Sequence, residues 1–248
     1  MSILDIDAGN TRLKWRLVDR GERVDCGVVN NAHPDVMVEA LSQQIKGTVS
    51  VCRLASVKGA DFIAKLCDAI EKVFGIRPKL PIPENGTGHL MVTGVEPRRL
   101  GMDRWLAMVG AVHLYPGQAV MVIDSGTALT LDVVGEDGIF RGGLICPGLN
   151  TMLKAMVDSA DLLVMPDVLK LHRGLAFASV QAVQNGALTM AVSLIEKEVE
   201  RYSGELIVIL CGGDARLLAE NVSVPVNLHP ELVFQGLDIA LPLPVTKD

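Results

Sequence analysis

Two short stretches of this sequence combine an apolar, strand-like run with an Asp, a Gly and a hydroxyl-bearing residue. The first is LDIDAGNTRLKW, residues 4–15, and the second is VIDSGTALTLDV, residues 122–133. In each, the glycine lets a ligand approach the backbone closely, and Asn or Thr side chains add hydrogen-bond donors. Because backbone N–H groups and hydroxyls together bind phosphate oxygens well, both turns are candidate phosphate sites.

The first turn carries the more complete set of groups for phosphate chemistry. Asp7 ends the apolar run and can hold a hydrated Mg²⁺ against a bound phosphate. Lys14 follows Thr11 by three residues and brings a positive charge to the same region. A hairpin turn selected only for its conformation has a similar composition, so one such turn is weak support for a site. Two copies in one chain are stronger support, since together they can hold a polyphosphate.

These stretches belong to a longer internal repeat. A shift of 117 positions superposes Asp7 on Asp124, Gly9 on Gly126, Leu13 on Thr130, Leu17 on Val134 and Gly21 on Gly138. The matches fall on turn positions where the backbone conformation is demanding, which favours a duplication. Two unrelated hairpins that share glycines and alternation are the alternative.

Hydrophobic periodicity predicts the same order of elements in both halves, three strands followed by helices that alternate with strands. In the first half we predict strands at 2–8, 12–19, 23–30 and 48–57, helices at 35–45, 59–75 and 102–115, and a surface loop at 77–100. In the second half we predict strands at 119–126, 127–134, 139–148 and 205–213, and helices at 150–163, 179–202 and 214–221. The fold class is therefore α/β with a mixed sheet in each of two domains, residues 1–116 and 117–248.

Three further motifs have both a chemical and a purely structural interpretation. In GMDRWLAMVGA, residues 101–111, Asp103 can be a general base and Arg104 an anion-binding residue, or Asp103 can be a helix N-cap and Arg104 a surface charge. In LCGGDARLL, residues 210–218, the glycines can leave room for a base or ribose, or Asp214 can cap an ordinary helix. The glycines of RGGLICPGL, residues 141–149, can lead a helix N-terminus to a phosphate or can pack against strands.

Composition excludes several classes of function. A net charge of −6 argues against a non-specific nucleic-acid binder, which needs a basic face. No apolar run approaches the ~20 residues of a membrane helix, and because the first residues have a strand pattern we expect no signal segment. The five cysteines lie in apolar runs without metal-ligand spacing, so we expect buried free thiols in a cytosolic protein. No GxSxG motif occurs, which argues against a Ser-His-Asp hydrolase.

Five motifs taken in order resemble the type III pantothenate kinases, a family that includes proteins described as Bvg accessory factors. They are DIDAGNTRLK, LGMDRW, DSGTALTLD, GGLICPG and LCGGDARLL, and HPELVFQGLDIAL is similar to the closing segment of the family. The resemblance implies two duplicated RNase H-like halves of the acetate and sugar kinase/Hsp70/actin fold, with ATP in the cleft between them. It also implies a cytoplasmic homodimer that phosphorylates pantothenate in the first step of coenzyme A synthesis, with Mg²⁺ and a monovalent cation, K⁺ or NH₄⁺.

Site roles follow from the same resemblance, position by position. The residues implied to bind ATP are Asp7, Ala8, Gly9, Asn10, Thr11, Arg12, Leu13, Lys14 and Thr127. The residues implied to bind pantothenate are Gly101, Met102, Asp103, Arg104 and Ser179, with Asp103 as proton acceptor. Asp124 is implied to hold the monovalent cation, and Asp7 to hold Mg²⁺ through water.

Two positions depart from the family pattern. Ser179 stands where the family usually has a Thr at a helix start, and TGVEPRRLG, residues 93–101, lacks the aromatic residue that the family often has near Gly94. Both changes fall on the substrate side of the reaction. A nucleotide-binding regulator that has lost its substrate, and a kinase or phosphatase for another small alcohol, are therefore the alternative functions.

Overall fold

The computed structural model describes residues 1–160 and 171–243 of the chain. It divides into two compact units, one of Met1–Gly110 with Val233–Asp248 and one of Ala111–Leu232. The sequence analysis places the boundary after residue 116 and assigns the closing segment to the second half. In the structure the closing segment groups with the first unit instead.

A four-stranded mixed sheet forms the centre of the first unit, in the order β3-β2-β1-β4. Its strands are β1 (Ser2–Ala8), β2 (Arg12–Asp19), β3 (Glu22–Asn30) and β4 (Val51–Ser56). The first three strands are antiparallel, and β4 is parallel to β1. The helices α1 (Pro34–Gln44) and α2 (Ala60–Phe74) contribute to one apolar core with the sheet. Every strand and helix predicted for residues 2–75 is confirmed.

The start of α1 and the end of α2 are set by their terminal residues. Pro34 occupies the first turn of α1, where its missing N–H costs no hydrogen bond. Gly75 ends α2 in the left-handed region, with φ of 70°, and its N–H donates to Glu71 O. Residues 77–100 form an irregular segment with two short 3-10 helices, Thr87–His89 and Pro97–Arg99.

A five-stranded sheet in the second unit repeats this topology in the order β7-β6-β5-β8-β9. Its strands are β5 (Val120–Ser125), β6 (Ala128–Val134), β7 (Phe140–Pro147), β8 (Ile207–Gly212) and β9 (Asn227–Leu228). The helices that follow α3 (Met102–Leu114) are α4 (Leu149–Asp158), α5 (Ser179–Arg201), α6 (Ala215–Ala219) and α7 (Leu232–Ala240). The predicted strands and helices are confirmed, except that residues 161–163 of one predicted helix lie outside the described residues. The sequence analysis did not predict β9 or α7.

The two sheets confirm the duplication but correct its alignment. Asp7 pairs with Lys14 across β1 and β2, whereas Asp124 pairs with Thr130 across β5 and β6. Residues 9–11 connect the first pair of strands and only residues 126 and 127 connect the second, so the second turn is one residue shorter. The shift of 117 therefore holds before the turn and becomes 116 after it. Thr130 is the counterpart of Lys14, not of Leu13.

Alternation along the strands gives each sheet one apolar and one polar face near the turns. Leu4, Ile6 and Ala8 belong to the apolar core, so Asp5 and Asp7 face the opposite side. In the second sheet Met121 and Ile123 belong to the core, and Asp124 faces the opposite side.

A group of four charges, three of them buried, joins α7 to the first sheet. Arg16 Nε and Arg53 Nε donate to the two carboxylate oxygens of Asp5 at 2.8 and 2.6 Å, and both arginines also contact Asp238 of α7. Burial disfavours the Arg53 cation, but its bonds to Asp5 and Asp238 outweigh this and raise the pKa of Arg53. In the middle of α7, a methyl group on Gly236 would overlap Leu106 O, so glycine is required there. These contacts explain why the closing segment groups with the first unit.

The cysteines are free thiols, as predicted, but not all of them are buried. Burial raises the pKa of Cys52, which keeps that thiol protonated. Cys26 is exposed because it lies on β3, the edge strand of the first sheet. Among the described helices, none is both long and apolar enough to cross a bilayer.

Replacing Arg53 with Met should lower the free energy of unfolding by about 3 kcal/mol or more, because it leaves part of the charge on Asp5 buried and unpaired. Urea denaturation measures the change. Arg77→Met is the matched control, since Arg77 pairs with Asp68 and Glu71 on the exposed surface and should matter little. Equal effects of the two substitutions would contradict a stabilising role for the group of four charges.

Candidate functional site

The tip of the turn between β1 and β2 is exposed, and its base is fixed by strand pairing. Gly9 N donates to Arg12 O at 3.0 Å, while Asn10, Thr11 and Arg12 are exposed. Below the tip, the half-buried Asp7 and Lys14 are direct cross-strand partners. Cross-strand partners lie on the same face of a sheet, so the carboxylate and the ammonium occupy one side of the turn.

Residues that follow the neighbouring strands β3 and β4 donate hydrogen bonds to the carbonyl groups of this turn. Asn10 O accepts hydrogen bonds from Asn31 Nδ2 at 2.8 Å and from Lys58 Nζ at 3.1 Å. Asn31 N donates to Thr11 O at 3.0 Å. The conformation of the turn is therefore fixed before any ligand binds, which lowers the entropic cost of binding.

The turn between β5 and β6 is tighter. Gly126 N donates to Ala128 O at 2.9 Å, and Thr127 at the tip is exposed. Asp124 is half-buried directly below it, opposite the hydroxyl-bearing Thr130.

The start of α4 clamps this second turn. Thr127 O accepts hydrogen bonds from Gly148 N at 3.0 Å and from Thr151 Oγ1 at 2.6 Å. A methyl group on Gly148 would overlap the carbonyl oxygen of Gly126, so only glycine permits this approach. The GGLICPG motif thus ends in a residue that packs against the turn, which is the structural alternative for that motif.

The LCGGD motif packs against Asp124. Gly212 has φ of 92°, and a methyl group there would overlap Asp124 Oδ1 and Ser125 O. The next residues continue this contact, since Asp214 N donates to Ser125 O at 3.1 Å. Asp214 occupies the N-cap position of α6 without a side-chain cap hydrogen bond. Glycine at 212 therefore gives the Asp124 carboxylate its space.

Asp103 lies in the first turn of α3, where its Oδ1 accepts a hydrogen bond from Arg104 N at 2.7 Å. The helix begins at Met102, so Asp103 lies inside the helix. The interpretation of Asp103 as the N-cap of this helix is therefore wrong. Gly101 precedes the helix, and a methyl group there would crowd Asp103 Oδ1. Asp103 and Arg104 are both half-buried, so a ligand can reach their side chains.

Ser179 is the first residue of α5 and is exposed. The structure thus places the predicted residues in four local arrangements, two in each unit. In the first unit these are the β1–β2 turn and the start of α3. In the second unit they are the β5–β6 turn and the start of α5.

Four residues that shape these turns were not predicted from the sequence to do so. Asn31 and Lys58 hold the first turn, and Thr151 and Gly212 support the second. Only Gly212 lies in a motif that the sequence analysis singled out. The other three act through contacts between residues distant in sequence, which no local pattern reveals.

The oxygen donors at Asp7 and Asp124 suit ions that are bound partly by the protein and partly by water or substrate. Within residues 1–160 and 171–243, no group of three or more His, Cys, Asp or Glu side chains could hold a metal alone. A single carboxylate at Asp7 matches Mg²⁺, which is usually bound through one or two carboxylates, water and substrate phosphates. Around Asp124 the oxygen atoms are a carboxylate and nearby hydroxyl and carbonyl groups, which suit a hard cation.

Comparison with known proteins gives full-length matches. A family model described as type III pantothenate kinase matches residues 3–201. Type III pantothenate kinases of Pseudomonas aeruginosa and Pseudomonas syringae are 32% and 34% identical, each over 97% of this chain and 99% of the relative. The type III pantothenate kinase of Azotobacter vinelandii is 33% identical over 98% of this chain.

Solved structures with similar folds are more distant in sequence. A Baf family protein from Campylobacter jejuni has a TM-score of 0.63 and 19% identity, with 96% of both chains covered. Component A of the (R)-2-hydroxyglutaryl-CoA dehydratase of Acidaminococcus fermentans has a TM-score of 0.55 and 14% identity, covering 97% of this chain and 96% of that one. The fold is that of the acetate and sugar kinase/Hsp70/actin superfamily, as predicted.

Replacing Gly148 with Ala should lower the free energy of unfolding by about 1–3 kcal/mol, because the added methyl group forces the second turn away from α4. Gly126→Ala is the control in the same turn, since a methyl group there meets no described heavy atom within 4 Å. Urea denaturation of both variants measures the difference. A Gly148→Ala protein as stable as the Gly126→Ala protein would contradict the clamp.

Proposed function

The chain belongs to the type III pantothenate kinase family, and on that premise we propose that Asp103 is the general base of its reaction. The enzyme is an ATP-dependent kinase that phosphorylates pantothenate in coenzyme A biosynthesis. The position of the Asp103 carboxylate carries the proposal. One oxygen is bonded to the N-terminal turn of α3, which fixes the side chain while the other oxygen is available to accept a proton.

The proposed reaction is a direct, in-line transfer. Asp103 accepts the proton of the primary hydroxyl of pantothenate as the hydroxyl oxygen forms a bond to the γ-phosphorus of ATP. The bond between that phosphorus and the oxygen bridging it to the β-phosphate breaks, and ADP leaves. A positioned general base contributes about 10²–10⁴-fold to the rate of such a step.

Binding of pantothenate is assigned to the residues around Asp103. We propose that Arg104 pairs with the pantothenate carboxylate, since a guanidinium can bind a carboxylate through two parallel hydrogen bonds. Gly101 and Met102 would line the same site, and Ser179 would contribute a hydroxyl. Serine keeps the hydroxyl of the usual threonine but leaves more space, so pantothenate contacts should differ in detail.

Binding of ATP is assigned to the two turns. The exposed tip of the first turn, the Lys14 ammonium and the Thr127 hydroxyl would contact phosphate oxygens. The Asp7 carboxylate would hold Mg²⁺ through water, and Asp124 would hold a monovalent cation. These ions supply positive charge that offsets the charge developing on the transferred phosphoryl group.

We also propose a homodimer in the cytoplasm. The free thiols suit a reducing compartment. On the edge strand β7, the apolar side chains of Leu144 and Ile145 are 42% and 62% exposed, and contact with a second chain would remove this apolar surface from water.

The alternative functions differ from this proposal in their dependence on pantothenate. A nucleotide-binding regulator without a substrate has no need of Asp103 and Arg104 as a pair, yet both are present and half-buried at the start of α3. A kinase for another small alcohol would retain them and differ only in the acceptor.

A coupled assay of ADP release should show turnover that requires pantothenate and is higher in K⁺ than in Na⁺. The cation dependence is expected because Asp124 would select an ion of suitable size. ADP release without pantothenate, or none with it, would refute the kinase proposal, and equal rates in both salts would refute the cation site.

Light scattering of the same sample should give the mass of two chains.

The Asp103→Asn enzyme should turn over at least about 10²-fold more slowly while binding ATP normally. Asparagine retains an oxygen that can accept the Arg104 N–H bond, so the helix start should remain intact. Steady-state rates and ATP titration calorimetry measure the two properties. Near-normal turnover would reduce Asp103 to a structural role at the helix start.

A further inference from the structure

The connection between β4 and α2 brings an unassigned lysine to the first turn. We propose that Lys58 is a second phosphate-binding lysine of the enzyme, which rests on the ATP role proposed for the β1–β2 turn. Lys58 Nζ donates to Asn10 O at 3.1 Å, at the exposed tip of that turn.

Several contacts hold the lysine at this position. Lys58 N donates to Ser56 Oγ at 3.1 Å, and Ser56 Oγ donates to Ala8 O at 3.2 Å, which ties the connection to the end of β1. The ammonium also lies 5.4 Å from the centre of the Phe62 ring. An ammonium has three N–H donors, so one bond to Asn10 leaves donors for phosphate oxygens.

The duplicated connection in the second unit has no lysine at this place. Ser56 pairs with Ala8 across β4 and β1, and Gly212 pairs with Ser125 across β8 and β5. Counting two residues onward from these partners aligns Lys58 with Asp214. The backbone hydrogen bond to the strand end comes one residue later in the second unit, since Val57 N donates to Ala8 O and Asp214 N donates to Ser125 O, and it aligns Lys58 with Ala215 instead.

This difference follows a wider asymmetry of charge between the two turns. Lys14 faces Asp7 at the first turn, whereas Thr130 faces Asp124 at the second. Two lysines, Lys14 and Lys58, thus lie beside the first turn, and no lysine takes either place at the second turn. The first turn therefore carries positive charge that can bind an anion, although the net charge of the protein is −6.

If Lys58 binds phosphate, the effect of replacing it on nucleotide affinity should depend on the number of phosphates in the nucleotide. In the Lys58→Gln enzyme the Kd of ATP, measured by titration calorimetry, should rise roughly tenfold, with a smaller rise for ADP and little for AMP. The Kd of ATP should also depend less on ionic strength, because one charge pair is removed. Lys58→Arg should restore most of the affinity.

Asn31→Ala is the matched control, since Asn31 donates to the same Asn10 carbonyl but carries no charge. If loss of this side chain loosens the turn, the Kd values of ATP, ADP and AMP should rise by the same factor. The proposal is overturned if Lys58→Gln binds ATP as the unaltered enzyme does, or weakens all three nucleotides equally as a purely structural residue would. Absence of ATP binding by the unaltered enzyme would instead refute the proposed function.

Discussion

The register of strand pairing at the end of the first strand of each sheet controls the position of the candidate site residues. In an antiparallel pair, directly opposed residues share a face, so a turn of a given length decides which side chain faces the strand-end Asp. Because the second turn is one residue shorter, it places Thr130 where the first places Lys14. A change of one residue in turn length therefore gives duplicated sheets different chemistry.

Close approach by glycine maintains this arrangement in the second unit. Gly148 lets α4 bond the Thr127 carbonyl, and Gly212 gives Asp124 its space. In the first unit the side chains of Asn31 and Lys58 hold the Asn10 carbonyl. Both turns have a side-chain hydrogen bond to a carbonyl at the tip, but close packing of glycines supports only the second turn and a charged side chain supports only the first.

The buried charges of the first unit lie on the same face of the sheet as Asp7. Asp5 precedes Asp7 by two residues on β1, and its carboxylate is neutralised by Arg16 and Arg53. The network is electrically balanced, with two charges of each sign, when the half-exposed Asp238 is included. A balanced network costs less to bury than single charges.

Local pattern in the sequence was sufficient to predict most strands and helices, the duplication and the motifs of the candidate site, because alternation, helical period and turn glycines are encoded within a few residues. The family follows from motifs in order along the chain. Register, however, depends on how many residues a turn uses, and the sequence shift of 117 misassigned Thr130 for that reason. The contacts of Lys58, Asn31 and Thr151, and the attachment of α7 through Asp238, join residues far apart in sequence. Such contacts depend on the packing of whole elements, so they could be read only from the folded chain.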